Sequence, residues 1–99
     1  MLKLKIMWEL ETGERYEEWT YPIELSLAEK ELYQGKSVIK ILTEESSPSN
    51  TLLLFLAHKI QQRVTKKQEN FDKWKQTITT IAAVDFETAN FTKPDQSGE

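Results

Sequence analysis

Cysteine is absent from these 99 residues, which removes disulfide staples, thiolate catalysis and cysteine-based zinc sites together. Histidine occurs once, at His58, with no paired acid at ligand spacing, so a metal centre has nothing to build from. Glycine is nearly as scarce: Gly13, Gly35 and Gly98 lie far apart, and none opens a helix after a strand as a phosphate loop requires. The serines fall at helix caps and in one loop, with no base beside them to activate a hydroxyl. Of the carboxylate pairs, Glu17-Glu18 would point to opposite faces of a strand and Glu44-Glu45 sits in an expected loop, so both read as solvated charge. No long apolar run opens the chain. Its first residues alternate lysine with apolar side chains, and neither a secretory signal nor a membrane span is read there. What is left is a binding or structural domain without catalysis or cofactor, kept in the compartment where it is made; the missing cysteines suit a reducing cytoplasm.

What is present is ordinary for a folded chain. A hydrophobic fraction of 38% beside 29% charged residues argues against wholesale disorder. The length suits one domain with a modest core, whose stability a partner could supplement. Net charge is −3, unevenly spread. Residues 1–25 carry six glutamates against Lys3, Lys5 and Arg15, for −3, and residues 26–45 carry −1. Residues 46–85 carry six bases against three acids, for +3, and the last fourteen residues carry −2. Self-neutralisation within the domain accounts for this better than a nucleic-acid footprint, which normally makes a whole domain basic.

The organising stretch runs from Thr51 to Val84. Leu53, Leu56, Ala57, Ile60 and Val64 fall at helical spacing, as do Phe71, Trp74, Ile78, Ile81 and Ala82, so two helices folded back on one another are expected. Between them Asn70 suits a helix cap, with Asp72 near the positive end of the dipole. Thr77-Ile78-Thr79-Thr80-Ile81 is rich in β-branched residues that favour strand, but the apolar spacing is taken to override it. Upstream, Leu2, Leu4, Ile6, Trp8 and Leu10 alternate with polar residues as a half-buried strand does. Thr12-Gly13 reads as the turn of a hairpin, and Arg15 to Ile23 as the returning strand, ended by Pro22. A loop symmetric about Thr12-Gly13 would set Ile6 against Trp19, Leu4 against Tyr21 and Leu2 against Ile23, with Lys5 near Glu18 on the other face. Trp8, Trp19 and Trp74 would then all lie on inner faces.

Ser26-Leu27-Ala28-Glu29 is a capping-box pattern, so a short helix should begin there and stop at Gly35. Ser37 would cap a second, with Val38, Ile41 and Leu42 on one side, although Val38 to Ile41 also suits a strand. Glu44 to Asn50, containing Pro48, reads as a solvated loop before a long helix starting near Ser49 or Asn50. Leu52 to Ala57 are all apolar, more than one face can bury. Either two sides are covered, or a stripe waits for a partner or a second copy.

Laid out this way, Ser26 to Phe86 resembles the short tail assembly chaperones of long-tailed bacteriophages. The matching features are the short helix before Gly35-Lys36-Ser37-Val38, with Glu31 four residues ahead of the glycine, and the leucine-rich Leu52–Ala57 helix ending in basic residues. Asn70-Phe71-Asp72-Lys73-Trp74 then opens a last helix running to Val84. The resemblance covers about 60 residues and rests on apolar spacing, with no reactive group in it. It implies a protein of the host bacterial cytoplasm, absent from the mature virion, that binds the tape measure protein and helps bring the tail tube protein to it. It also implies a longer frameshifted form, diverging near Thr92 to Glu99.

The expected fold is therefore α+β. An N-terminal antiparallel β-hairpin (2–23) precedes a small bundle of three or four helices (26–86), the last two long and packed antiparallel, in one domain spanning 1–88 with a flexible polar tail at 89–99. Leu52, Phe55 and Lys59, three and four apart, are the expected partner-binding line on an exposed helix face. Two other classes compete with this one. A small oligomeric regulator would contact nucleic acid through Arg63, Lys66 and Lys67, against the net acidity of the chain, and a structural tail component would be retained in the particle.

Overall fold

The computed structural model describes residues 2–45 and 48–88. The expected tail, 89–99, lies outside the described residues, as do Ser46 and Ser47 of the expected loop. The central element is β1 (Leu2–Leu10), whose alternation is realised in full: Leu2, Leu4, Ile6, Trp8 and Leu10 are buried, and the residues between them are half-buried. β2 (Arg15–Trp19) pairs antiparallel with one edge of β1 and β3 (Ile78–Thr88) with the other, giving the order β2-β1-β3. Helices α1 (Pro22–Tyr33), α2 (Val38–Glu45), α3 (Asn50–Thr65) and α4 (Phe71–Lys75) complete the described elements. Leu25, Ala28, Val38, Leu52, Leu53, Leu56, Ala57, Ile60 and Trp74 join the inner side chains of β1 in one core cluster, so the fold is a helical layer on one face of an antiparallel sheet.

The hairpin is present, but its register is one residue from the expected one. Lys5 faces Trp19 and Ile6 faces Glu18. The cause is the turn. Gly13, at φ +97°, takes the left-handed third position of a three-residue loop closed by the Leu10 N–H to Glu14 O bond of 2.9 Å. A loop centred on Thr12 shifts every partner by one, so Tyr16, Glu18 and Thr20 share the inner face and Trp19 turns outward. β2 tolerates this because it is a short edge strand. Tyr16 stacks on Trp8 at 5.2 Å between centroids, while Thr20 both donates its N–H to the Leu4 carbonyl (2.8 Å) and accepts the Leu4 N–H on its hydroxyl (3.0 Å). Lys5 pairs with Glu17 instead of Glu18, at 3.2 Å.

The first helix begins earlier than the Ser26 pattern suggests. Tyr21 is its N-cap, Pro22 supplies the fixed φ of the first turn, and the Glu24 carboxylate accepts the Tyr21 N–H at 2.7 Å. Glu29 therefore caps a different helix: its carboxylate accepts the Val38 N–H at 2.8 Å and ties α1 to α2. Gln34 and Gly35 both take left-handed conformations at the expected stop. Residues 38–42 are helical, α2 running to Glu45 into the expected loop. α3 starts where Ser49 accepts the Leu52 N–H at 3.2 Å. It packs against α1, α4, β1 and β3.

The second long helix does not exist. Asn70 caps a helix as expected, its side chain accepting the Lys73 N–H at 3.0 Å, but α4 ends after five residues and the chain from Ile78 forms β3. The β-branched preference prevails because β1 has an unpaired second edge. Apolar spacing misleads for a specific reason. Between Glu9 and Leu10 the ladder shifts, leaving Thr79 as an extra residue, so Ile78 and Ile81 face Leu10 and Trp8 on the same side although three apart. A second shift at Val84 does the same for Ala83 and Phe86. Bulges have copied the helical period.

A buried amide joins the two layers. Gln61 Oε1 accepts both the Trp8 and the Trp74 indole N–H at 2.9 Å, and its Nε2 donates to Glu69 Oε2 at 3.2 Å. Replacing Gln61 by leucine keeps the volume and orphans two buried donors, each worth about 1–3 kcal/mol. Gln61→Leu is expected to lower the unfolding free energy by about 3 kcal/mol in urea titration, and Trp8→Phe, which leaves Trp74 bonded, by about 1–2 kcal/mol. Equal losses for the two would contradict the shared acceptor.

Candidate partner-binding surface

Of the expected contact line, Leu52 is 0% exposed and belongs to the core. The reason is the number of its neighbours: α3 packs against α1, α4, β1 and β3, so the leucine-rich turns are covered on more than one side. Phe55 and Lys59 remain at the surface, half-buried, with the Lys59 ammonium 5.3 Å from the Phe55 ring centroid. Val64, expected in the core stripe, is exposed.

The basic patch loses its centre. Arg63 Nε and Nη2 bind the two oxygens of Glu24 at 2.6 and 3.1 Å, and Nη2 also donates to the Trp19 carbonyl at 2.9 Å. Its guanidinium carbon stands 3.5 Å from the Tyr21 ring centroid. Glu24 is 3% exposed, and a carboxylate so deep needs this forked partner. Hydrogen bonding to Glu24 pushes the Arg63 pKa further above its ordinary value. Lys66 is the left-handed C-cap of α3 and Lys67 is exposed beyond it. Arg63 is thus a structural clasp between α3 and the start of α1, not a cation held ready for phosphate.

That clasp brings an unexpected surface together. Tyr21 is 52% exposed and Ile23 62%, both at the start of α1 and both placed inward by the expected hairpin register. Phe55, Lys59 and Arg63 follow one face of α3 at four-residue intervals, and Arg63 reaches Tyr21. The result is a ridge of ring, cation, cation and ring, and Ile23 is exposed two residues beyond Tyr21. The signal for it was in the sequence: Tyr21-Pro22-Ile23-Glu24 has proline at the first helical position and an acid at the third, a helix start that excludes a strand there.

On the outer sheet face Lys3 and Lys5 stand 5.6 and 5.8 Å from the Trp19 ring, and Glu17 is held by Lys5 and Arg15 at 3.2 and 3.3 Å. His58 Nε2 lies 2.8 Å from the Glu69 carbonyl, and the ring packs against Phe71 and Trp74. Among the described residues, no three His, Asp or Glu side chains are grouped to hold a metal ion, and no helix is long and apolar enough to cross a membrane. No protein-family model, curated protein or solved structure matches the chain.

Removing Arg63 strands a buried carboxylate, which typically costs about 3–5 kcal/mol. Arg63→Ala is accordingly expected to lose about 3 kcal/mol in denaturant unfolding, and Arg63→Lys, which keeps charge but not the fork, about 1 kcal/mol. Glu17 gives a pH readout. Lys5, and after it Arg15, holds the Glu17 carboxyl below the usual glutamate range. Its contribution to stability is complete above that range and disappears as pH falls through the lowered titration. Carbon-detected NMR should show the low midpoint, and Lys5→Ala should return it toward the ordinary value; an unmoved midpoint would assign the shift elsewhere.

Proposed function

We propose that this chain works by binding another protein, without catalysis, as a short tail assembly chaperone that holds the tape measure protein and assists tail tube assembly in the host bacterial cytoplasm. The observation that carries the reading is the ridge from Phe55 through Lys59 and Arg63 to Tyr21 and Ile23. It offers apolar area on a rigid two-helix frame, with its cations folded over its own rings, and an apolar helix of a client can lie along such a face. Three features of the resemblance have counterparts: the Gly35 stop before α2, the leucine-rich α3, and the Asn70-Phe71-Asp72-Lys73-Trp74 opening of a helix. The fourth, a last helix to Val84, is replaced by α4 and β3, and its side chains contribute nothing to the reading.

The regulator reading is weaker because Arg63 is committed to Glu24 and Trp19. Co-expression with the tape measure protein of the same genome tests the chaperone reading. The wild-type chain should keep that protein soluble and co-purify with it, yet be missing from purified virions by mass spectrometry. The double variant Tyr21→Ser, Ile23→Ser retains a good N-cap and changes exposed side chains, so folding should be unaffected while capture falls at least about tenfold. Lys66→Glu with Lys67→Glu should leave capture intact. Capture unaltered in the first variant would remove the ridge, and its absence in the wild type would remove the chaperone role.

A further inference from the structure

The two edges of the sheet are built differently. β2 is five residues long, carries Arg15, Glu17 and Glu18, and leads into Pro22, all of which blunt an edge. β3 is eleven residues long, has no proline or basic residue, and is uncharged from Ile78 to Val84. Among the described residues no strand lies on its outer side. Near its end Val84 and Phe86 are exposed, Phe86 at 62%.

We propose that this edge pairs with a second copy of the same chain, β3 against β3 antiparallel about a two-fold axis at Ala82, forming one continuous six-stranded sheet. The self-complementarity lies in the placement of side chains. A two-fold that continues a sheet stands perpendicular to it, so residues facing the helices in one copy must meet residues facing the helices in the other. The helix-side residues of β3, opposite Leu10, Trp8, Ile6 and Leu4, are Ile78, Ile81, Ala83 and Phe86. They are symmetric about Ala82. Ile78 meets Phe86 of the second copy, Ile81 meets Ala83, and Ala82 meets itself on the outer face, where a small side chain lets the strands approach.

The two bulges fall within one residue of the same symmetry. The extra residues Thr79 and Val84 fall opposite Asp85 and Thr80 of the second copy, so both irregular stretches meet and the pairing needs no further insertion. Charge agrees with this alignment. Asp85 and Glu87 occupy one end of each strand and oppose Thr79 and Thr77, next to the end of the other copy that carries Lys73 and Lys75, and no like charges meet. A groove of about 160 Å³ between α3 and β3, lined by Asn50, Leu54, Lys75, Ile78, Thr79, Thr80 and Ile81, opens where Phe86 of the second copy arrives. Each ring fills the other copy's groove.

This surface is separate from the ridge, so its test does not depend on the client. Sedimentation of the full chain over a concentration series should show a reversible dimer with a melting temperature that rises with concentration. Ala82→Lys sets two like charges at the axis while its side chain reaches solvent in the monomer, and Phe86→Ser empties the grooves. Each should weaken dimerisation at least about tenfold with the monomer's circular dichroism unchanged. Because the chain has no cysteine, single thiols report contact unambiguously. Under mild air oxidation Ala82→Cys should become a disulfide-linked dimer, and Val64→Cys should not. A monomeric wild type, a dimer indifferent to Ala82→Lys, or equal crosslinking of the two thiol variants would each overturn the proposal. Loss of dimer in Ala82→Lys with client capture retained would separate this surface from the ridge.

Discussion

The shared acceptance of two indole N–H groups by Gln61 is the interaction on which the arrangement of layers depends. A buried amide is costly unless its partners are in place, and here they come from β1, α4 and the loop before α4. Satisfying it fixes the rotation of α3 about its own axis. Lys59 and Arg63, two residues to either side, are then turned by about 200° to the far side of the helix. One buried side chain thus decides which residues of α3 can be surface. Glu24 completes the setting by drawing Arg63 down onto the start of α1, which fixes Tyr21 beneath the guanidinium.

Charge that looks lopsided along the chain is joined across it at one deep pair. The acidic first quarter and the basic third quarter meet through the Glu24–Arg63 pair, 39 residues apart, and Glu17 is neutralised within the hairpin by Lys5 and Arg15. Self-neutralisation was the sequence reading, and the forked pair is its clearest instance. What the sequence did not show is that one of these pairs would be buried. Of the three cations offered to a phosphate, Arg63 is the one the fold can least spare.

The legible parts of the fold were those set by local pattern. Strict alternation gave β1, the Gly35 stop gave the end of α1, and the serine before an apolar run gave the start of α3. The hairpin register was lost to a single loop residue, because Gly13 in the left-handed region makes the loop three residues long and no alternation in a short edge strand is strong enough to reverse that. β3 was lost because two bulges placed apolar residues three apart on one face, a spacing that a periodicity count assigns to helix. At the candidate site, Phe55 and Lys59 were legible from helical spacing. Leu52 was not, since its burial depends on how many elements pack around α3, which a single helix's spacing does not show.

Those same bulges bear on why the edge of β3 is tolerated. A flat apolar edge invites uncontrolled strand addition, and bulges are one of the ordinary defences against it. In β3 they interrupt the strand on either side of the stretch from Thr80 to Ala83, so a generic extended peptide finds only a short regular ladder there. A partner with bulges at matching places finds the whole edge. In antiparallel order β3 itself carries irregularities within one residue of those places, and an edge protected against most sequences can in this way stay open to one.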